Sequence, residues 1–210
     1  MPSILKILLI LLASYLIGAI PFGYLIIRLG KGFDIRHHGS GNIGATNVVR
    51  VAGLAWGVPV FILDFLKGAV PAIVATTILR EDMSAMPVLF QLTAILTVVV
   101  AVAGHNWPVY LGFHGGKGVA TSIGAVAGLS LVFPYLRIPV LASIVTWLVL
   151  FLSFRIVSLG SMAAAIVFFG VCLGMPSVPV SFKGLSFLLC LFIVLRHRKN
   201  FPEIARRFSK

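Results

Sequence analysis

The sequence has few charged residues, and acidic residues are the scarcest among them. Charged residues make up 10% of the 210 positions, and only 5 positions are Asp or Glu, whereas soluble domains carry about 25% charged residues. This scarcity excludes a soluble globular protein, because such a protein needs a polar surface. The hydrophobic fraction of 60% and the mean hydropathy of +1.10 predict an integral membrane protein.

Cysteines and metal-binding patterns are also scarce. The only two cysteines, Cys172 and Cys190, lie inside apolar runs, which predicts buried thiols and neither a disulfide nor a metal site. Neither a Cys/His zinc spacing nor a pair of carboxylates occurs, so we predict no metal and no cofactor. The chain also lacks a linker long enough to separate domains, which predicts one polytopic membrane domain over residues 1–210.

Two catalytic patterns are missing as well. None of the five histidines is followed five residues later by Asp or Glu, which excludes the His-x-x-x-x-acid arrangement of one large acyltransferase class. The Gly-x-Ser-x-Gly turn that presents a nucleophilic serine does not occur either.

What the chain does contain is a series of long apolar runs separated by polar segments. Their lengths predict an all-α protein with seven transmembrane helices. Gly18, Pro21 and Gly23 predict a bend in the first helix. The predicted spans cover residues 4–29, 51–79, 86–103, 119–136, 137–154, 161–173 and 182–195.

The distribution of basic residues predicts the orientation of these spans. The chain has 17 Lys and Arg residues and a net charge of +12. One side of the predicted bundle carries only Lys6, Arg80, Arg137 and Lys183, and nearly all the others fall on the opposite side. Because membrane proteins collect Lys and Arg in cytoplasmic loops, we predict an external N-terminus and a cytoplasmic C-terminus. The basic excess therefore predicts membrane topology and no nucleic-acid partner.

Segment 1, residues 39–50, is the most distinctive polar stretch. It reads Gly-Ser-Gly-Asn-Ile-Gly-Ala-Thr-Asn-Val-Val-Arg. Glycines leave backbone N–H groups approachable, and a terminal arginine offers a fork that matches phosphate. We expect the next span to begin just beyond Arg50 and to add the positive potential of a helix N-terminus. The alternative is a flexible loop with a cytoplasmic arginine.

Segment 2, residues 104–118, is predicted to lie on the same side of the membrane. It contains His105, and its glycines at 115, 116 and 118 surround Lys117 directly before an apolar helix. This pattern predicts a second phosphate site, although it is not a P-loop, because Gly118 follows the lysine. A simple hinge between helices is the alternative.

Two other polar groups stand out. Asp64 and Lys67 lie three residues apart inside a span, so we expect them on one helix face towards the bundle interior, as a functional or a packing pair. In the tail, His197, Asn200 and Glu203 are expected to share one face of a helix that continues the last span. A basic tail attracted to anionic lipid is the alternative.

Together these motifs resemble the bacterial acyl-phosphate-dependent glycerol-3-phosphate acyltransferases, the PlsY family. The resemblance rests on segment 1, on Gly-His-Asn-Trp-Pro and Gly-Gly-Lys-Gly-Val-Ala-Thr at 104–108 and 115–121, on Val-Ser-Leu-Gly-Ser at 157–161 and on His-Arg-Lys-Asn at 197–200. The stretches at 14–25 and 64–68 fit as well. After Asn200 the tail departs from the family pattern, because Glu203 replaces an expected arginine.

The resemblance implies seven transmembrane helices, a cytoplasmic site and a bacterial inner-membrane location. It implies transfer of a fatty acyl group from acyl phosphate to the 1-hydroxyl of glycerol 3-phosphate, giving 1-acyl-glycerol 3-phosphate. We expect a monomer whose partners are these two substrates and the bilayer.

The motifs and the resemblance together predict the site residues. The predicted catalytic residues are Ser40, Arg50, Lys117, His197 and Asn200. The predicted substrate-binding residues are Gly41, Asn42, Gly44, Thr46, Asn47, His105, Gly115, Gly116, Gly118, Thr121, Ser158 and Ser161. By resemblance, the glycines at 115–118 hold the acyl phosphate.

Several points of mechanism stay open at the sequence level. Ser40 is either a substrate contact or a nucleophile, and the proton acceptor is His105, His197 or the leaving phosphate. A small exchanger of organic phosphates is the alternative function, because broken helices with N-termini aimed at an anion also suit transporters. It fits less well, because both glycine segments are predicted at one membrane face and a carrier site lies near the midplane.

Overall fold

The structure of the chain is a computed structural model that describes residues 4–208, except for the side chains of residues 203 and 208. Every regular element in this range is helical, which confirms the predicted all-α class. The chain divides into two compact units, Met1–Val132 and Phe133–Lys210.

Unit 1 contains six of the described α-helices. They are α1 (Ile4–Ala19), α2 (Phe22–Lys31), α3 (Ala45–Ala52), α4 (Leu54–Leu79), α5 (Pro87–Asn106) and α6 (Val119–Ser130). Unit 2 contains four, namely α7 (Arg137–Phe154), α8 (Val157–Gly174), α9 (Val180–Arg196) and α10 (Phe201–Phe208). Short 3-10 turns lie at Ile35–His37, Val109–Leu111, Pro134–Leu136 and Arg198–Asn200.

Four of these helices, α4, α5, α7 and α8, are long and apolar enough to cross a membrane, and the number rises to six if each of two bent pairs is one span. The pairs are α1 with α2 and α9 with the tail helix. The remaining apolar helix, α6, has 12 residues and is about 18 Å long, shorter than a hydrocarbon core of about 30 Å. The count of seven spans therefore stays a prediction.

The bend predicted in the first span is present. α1 and α2 meet at an angle of 41°, at the Ile20-Pro21 step. Pro21 has no N–H group to continue the helical hydrogen bonds. The carbonyl of Ile20 accepts a hydrogen bond from Lys67 Nζ of α4 at 2.8 Å, so the bend is supported from inside unit 1.

Several span boundaries differ from the prediction. The second span does not start at 51, because Gly53 (φ +90°) separates the short helix α3 from α4. α5 continues to Asn106, which places His105 and Asn106 on its last turn. α6 ends at Ser130 and does not continue to 136, and α8 begins at Val157, so Ser158 lies in its first turn. The predicted positions of the apolar runs are otherwise retained.

Two glycines bring α4 and α6 into backbone contact. A Cβ atom added at Gly124 of α6 would lie 2.1 Å from the carbonyl oxygen of Phe65. A Cβ atom added at Gly68 of α4 would lie 2.1 Å from the carbonyl oxygen of Thr121. Small residues allow helices to pack this closely in membranes, and here they fix the first turn of α6 against the middle of α4.

We predict that Gly124→Ala lowers the melting temperature of the protein. The new methyl group meets backbone that cannot rotate away, at a cost of about 1–3 kcal/mol, which exceeds the gain in helix propensity of up to about 1 kcal/mol. Gly170→Ala in α8 is the matched control, because no heavy atom lies within 4 Å of the position that its Cβ atom would take. Thermal unfolding in detergent measures both variants, and a Gly124→Ala protein as stable as the control contradicts the prediction.

Unit 2 packs α7, α8 and α9 around aromatic and serine side chains. The rings of Phe133 and Phe182 lie 4.8 Å apart between centroids, and Tyr135 packs against both. Trp147 of α7 donates its indole N–H to Ser161 Oγ of α8 at 3.3 Å. These contacts hold together the helices that carry the predicted site residues of unit 2.

Candidate active site

Segment 1 is organised around the buried side chain of Asn47, which is 2% exposed. Its Oδ1 accepts a hydrogen bond from the Ser40 N–H at 2.8 Å. Its Nδ2 donates to the carbonyls of His38 at 3.0 Å and Asn42 at 2.9 Å. Asn47 is predicted above to bind substrate, but its amide is committed to the backbone of the segment. Asn47 therefore sets the shape of the loop.

The glycines of segment 1 make this arrangement sterically accessible. Gly39 and Gly41 have φ values of +60° and +70°, a region that L-residues with a Cβ adopt rarely. A Cβ atom at Gly39 would also lie 2.4 Å from Asn47 Oδ1. Gly41 is predicted as a substrate contact, and its positive φ shows that the turn itself favours glycine at this position.

Asn42 and Gly44 lead into α3. Asn42 Oδ1 accepts a hydrogen bond from the Gly44 N–H at 2.8 Å, and Gly44 is the residue that precedes the first helical turn. Such a side-chain bond to the backbone two residues on stabilises the turn that leads into the helix. Both residues are predicted above to bind substrate, and both support the loop. Ser40, Thr46 and Arg50 are the exposed polar residues of the segment.

The environment of Arg50 differs from the prediction. Arg50 lies in the last turn of α3, and α4 starts only after the break at Gly53. The helix N-terminus nearest the glycines of segment 1 is that of α3, at Ala45. The expected placement of Arg50 immediately before the N-terminus of a long span is therefore wrong, because the segment forms its own short helix.

An ion pair that no sequence motif predicts precedes segment 1. Arg36 Nη2 lies 2.6 Å from Asp34 Oδ2, and Arg36 Nε also donates to the same carboxylate. These side-chain hydrogen bonds from Arg36 lower the pKa of Asp34 from 3.8 to about 2. The guanidinium carbon of Arg36 lies 5.0 Å from the centre of the Tyr24 ring on α2, so the pair ties the turn before segment 1 to α2.

This pKa predicts how Asp34 contributes to stability across pH. Because the folded-state pKa is lowered, the contribution is full above the ordinary value of 3.8 and is lost as the pH falls through about 2. We expect the melting temperatures of the wild type and Asp34→Asn to differ by a constant amount above about pH 5. The difference should shrink as the pH falls below about 4 and be lost as the pH falls through about 2. Thermal unfolding in detergent at stepped pH measures this. Convergence already at pH 6 would contradict it.

Segment 2 folds back on the end of α5. The N–H of Gly116 donates to the carbonyl of His105 at 3.0 Å. A Cβ at Gly116 would lie 2.0 Å from His105 Nε2, and one at Gly115 would lie 2.2 Å from the His105 carbonyl oxygen. Gly118 has a φ of +77° and packs against the Asn106 side chain. The predicted glycines are thus needed for close packing on His105 and Asn106. Lys117 lies between Gly116 and Gly118 in the chain and is partly buried.

The first turn of α6 carries two buried hydroxyl groups directly after Lys117 and Gly118. Thr121 is 0% exposed and Ser122 is 4% exposed. Within residues 4–208, no hydrogen-bond partner contacts either hydroxyl oxygen. Buried polar groups are nearly always satisfied, and the N–H groups of a first helical turn have no helical acceptor. This turn therefore offers donors to a bound anion. Thr121 is a predicted site residue, and its neighbour Ser122 was not predicted.

Both segments rest on one small hydrophobic cluster, which brings them to the same end of unit 1. Leu111 of segment 2 packs against buried residues of α2, the 3-10 turn Ile35–His37, segment 1 and α4. These residues are Ile27, Ile35, Ile43, Val48 and Val60. The two glycine segments therefore lie at one end of unit 1 and share part of its core, which the spacing of the motifs alone does not predict.

The predicted site residues of unit 2 lie at the ends of α8 and α9. Ser158 and Ser161 lie on the first turns of α8, and Ser161 Oγ donates to the carbonyl of Val157 at 2.8 Å. Asn200 ends the 3-10 turn after α9, with its N–H donating to the His197 carbonyl at 2.8 Å. The helix does not continue through this turn, so the predicted single helical face is wrong. The side chain of Glu203 lies outside the described part of the chain.

His197 is held in a defined ring orientation. It is 3% exposed, and its Nδ1 lies 2.8 Å from the carbonyl oxygen of Ile193. A carbonyl oxygen only accepts, so Nδ1 carries the proton in this contact. In the neutral ring, Nε2 then bears the lone pair, which is the state that a proton acceptor needs.

Comparison with known proteins agrees with this architecture. The profile of the family described as glycerol-3-phosphate acyltransferase matches residues 8–207. The glycerol-3-phosphate acyltransferase of Aquifex aeolicus is 41% identical over 95% of this chain and 96% of its own length. The homologue of Anaeromyxobacter dehalogenans is 42% identical over 100% of this chain and 98% of its own length.

Two solved structures are also similar over most of the chain. One is a crystal structure of PlsY, described as an integral membrane glycerol 3-phosphate acyltransferase, in its glycerol 3-phosphate form. It has a TM-score of 0.82 and 37% identity, and the match covers 96% of this chain and 92% of that one. The lysophosphatidic acid form of PlsY matches with a TM-score of 0.79 over the same shares of both chains.

Proposed function

The chain belongs to the glycerol-3-phosphate acyltransferase family, and we propose that acyl phosphate is the donor from which it acylates its substrate. As a member of this family it transfers an acyl group to glycerol 3-phosphate and produces lysophosphatidic acid, the precursor of phospholipids. The structures of PlsY with glycerol 3-phosphate and with lysophosphatidic acid bound represent the substrate and product sides of this reaction.

The observation that carries the choice of donor is that both segments pack on one hydrophobic cluster at the same end of unit 1. Segment 1 contributes Ser40, Thr46 and Arg50. Segment 2 leads into the first turn of α6 with Lys117 and the two buried hydroxyl groups. A reaction between two phosphate-bearing substrates needs two anion sites side by side, whereas a thioester donor brings no phosphate to the reacting carbonyl. By resemblance, we assign the acyl phosphate to segment 2 and the glycerol 3-phosphate to segment 1.

The proposed reaction needs no covalent intermediate, because an acyl phosphate is already activated. The 1-hydroxyl oxygen of glycerol 3-phosphate forms a bond to the acyl carbon, and the bond from that carbon to the phosphate oxygen breaks. Arg50 and Lys117 offset the repulsion between the phosphates and stabilise the charge that develops on the leaving group. Holding both substrates in the reactive orientation lowers the activation barrier by up to about 7–11 kcal/mol.

The hydroxyl proton leaves as the new bond forms. By resemblance we keep His197 as a catalytic residue of unit 2, and the contact of its Nδ1 with the Ile193 carbonyl leaves Nε2 with the lone pair that a proton acceptor needs. Asn200, at the end of the 3-10 turn that follows His197, is kept as a catalytic residue on the same resemblance. The proton then passes to the departing phosphate, which leaves as inorganic phosphate. Ser158 and Ser161 are assigned to the substrate surface of α8.

The membrane setting is also part of the proposal. We place the chain as a monomer with a single functional domain in the cytoplasmic membrane of a bacterium, with the N-terminus outside and the active site on the cytoplasmic face. The distribution of Lys and Arg supports this orientation. We count α6 as the seventh, shortened span, since it packs against α4 along its length.

A comparison of donors tests the proposal. Purified protein in detergent receives glycerol 3-phosphate with acyl phosphate, acyl-CoA or acyl-carrier protein of the same chain length, and lysophosphatidate is quantified. We expect product from acyl phosphate and none from the two thioesters. Turnover with a thioester and none with acyl phosphate would refute the assigned donor. Absence of product with every donor would favour a transport function.

A further inference from the structure

A buried ion pair lies in unit 1 beneath segment 2. Asp64 and Lys67 stand three residues apart on α4, and each is 3% exposed, which confirms that they face the interior. Lys67 Nζ lies 2.7 Å from Asp64 Oδ1. None of the reaction steps above uses this pair, although isolated charges at this depth are costly.

The pair contacts both structural elements that lead to the site. On one side, Lys67 Nζ donates to the carbonyl of Ile20 at the bend between α1 and α2, and α2 continues into the loop that carries segment 1. On the other side, Asp64 Oδ1 lies 3.6 Å from Nδ1 of His105. That distance is an electrostatic contact and is longer than a hydrogen bond.

His105 links Asp64 to Gly116 and Lys117 within segment 2. It is 4% exposed, its ring packs against the α-carbon of Gly116, and its carbonyl accepts the Gly116 N–H at 3.0 Å. The residue after Gly116 is Lys117. A shift of the His105 ring therefore moves the backbone on which Lys117 is mounted.

The same turn of α4 also sets the position of α6. Gly68 follows Lys67 directly, and its α-carbon packs against the carbonyl of Thr121, whose hydroxyl belongs to the second anion site. One turn of α4 thus contacts His105, on which Gly116 packs, and Thr121, which lies four residues after Lys117.

We propose that Asp64 and Lys67 are positioning residues for acyl transfer, which act through His105 and Gly116 to place Lys117 at the phosphate of its substrate. This role rests on the proposed function, because it needs a phosphate at segment 2. Packing alone is a poor reason for the pair, since buried ion pairs can often be replaced by apolar residues of similar size with no loss of stability.

The kinetic constants of Asp64→Asn/Lys67→Met test the proposal. Both charges are removed together, so that neither is left buried without its partner. We expect a folded protein in which kcat/KM falls on the order of 10²-fold. The loss should come mainly from a raised KM for one substrate, the one bound at segment 2. The KM of the other substrate is expected to change less than about twofold, because segment 1 keeps its own hydrogen bonds.

The exposed ion pair between Lys6 and Asp82 provides the matched control. Its side chains are 40% and 38% exposed, and Lys6→Met/Asp82→Asn removes the same two charges far along the chain from either segment. We expect wild-type kinetic constants for this control. Selective elevation of one KM in the Asp64/Lys67 variant alone supports positioning. Wild-type values for both substrates, or equal losses for both with a lowered melting temperature, would overturn it.

A second variant keeps the test decisive if the double substitution prevents folding. Asp64→Glu retains both charges and displaces the carboxylate by one methylene group, so the buried pair stays satisfied while its contact with His105 changes. The same selective rise of one KM is expected, and unchanged KM values in the folded variant would overturn the proposal. The wild-type protein, measured in the same experiments, tests the assigned donor separately. If it gives no turnover with acyl phosphate, the assigned donor is wrong. The KM values of the variants are then compared with the donor that supports turnover.

Discussion

Replacing either Lys117 or Arg50 with alanine is expected to abolish acyl transfer while leaving the protein folded. Each side chain is assigned to one of two adjacent phosphate sites, and each substitution removes a positive charge where the reaction concentrates negative charge. Loss of a single preorganised hydrogen-bond donor lowers the rate about 10²–10³-fold. Removing a full charge that faces two phosphates is expected to lower the rate further. We therefore expect kcat/KM to fall by about 10³-fold or more.

The stability of both variants should stay close to that of the wild type. Arg50 is exposed on the last turn of α3, and Lys117 is only partly buried, so neither truncation opens a cavity. Lysophosphatidate production by purified protein measures activity, and thermal unfolding verifies the fold. Arg80→Ala at the exposed end of α4 is the matched control, because it removes one charge that is predicted to lie on the opposite side of the membrane. Near-wild-type turnover in either site variant would refute the two-site arrangement.

Replacing Asn47 with leucine is expected to inactivate the protein through the shape of segment 1. The substitution keeps the volume of the side chain and removes all three of its hydrogen bonds. The N–H of Ser40 and the carbonyl of Asn42 lose this partner, at about 1–3 kcal/mol for each group that stays buried, while the His38 carbonyl keeps the Gly41 N–H. A displacement near 1 Å of the groups that hold a substrate lowers the rate on the order of 10²-fold.

Two measurements distinguish this loss from general unfolding. Hydrogen exchange should become faster at the amide of Ser40 and its neighbours in segment 1, and should stay unchanged in α7, α8 and α9 of unit 2. Asn47→Asp keeps an oxygen that accepts from Ser40 and loses both donated bonds, so its activity should lie between those of the wild type and the leucine variant. Equal activity of the leucine variant and the wild type would contradict the role of Asn47.

The apolar runs predicted the helical class because hydropathy averages over many residues. The ends of the helices were harder to predict, because each end depends on contacts of single residues. α3 became a separate helix because Gly53 adopts a positive φ, which an apolar window does not detect. His105 and Asn106 were predicted in a loop, but packing against the glycines of segment 2 extends α5 to include them.

The composition of the candidate site was also predictable, whereas the roles of its residues were not. Segment 1 contains hydrogen-bonding side chains that favour anion binding, but the sequence does not show which way any of these side chains points. Asn42 and Asn47 turn inward to hold the backbone, so Ser40, Thr46 and Arg50 are left exposed. Ser122 was missed because a serine in an apolar run is usually a packing residue. The proximity of the two segments depends on Leu111, which no motif includes.

The central claim is that the acyl group passes directly from acyl phosphate to glycerol 3-phosphate, and phosphate release measures this most directly. Purified protein is mixed with a small excess of acyl phosphate in the absence of glycerol 3-phosphate, and inorganic phosphate is followed with time. Direct transfer predicts no release above the uncatalysed rate until glycerol 3-phosphate is added, and then equal amounts of phosphate and lysophosphatidate. A rapid burst of phosphate equal to the amount of protein, lost in Ser40→Ala, would instead establish an acyl-enzyme and contradict the account.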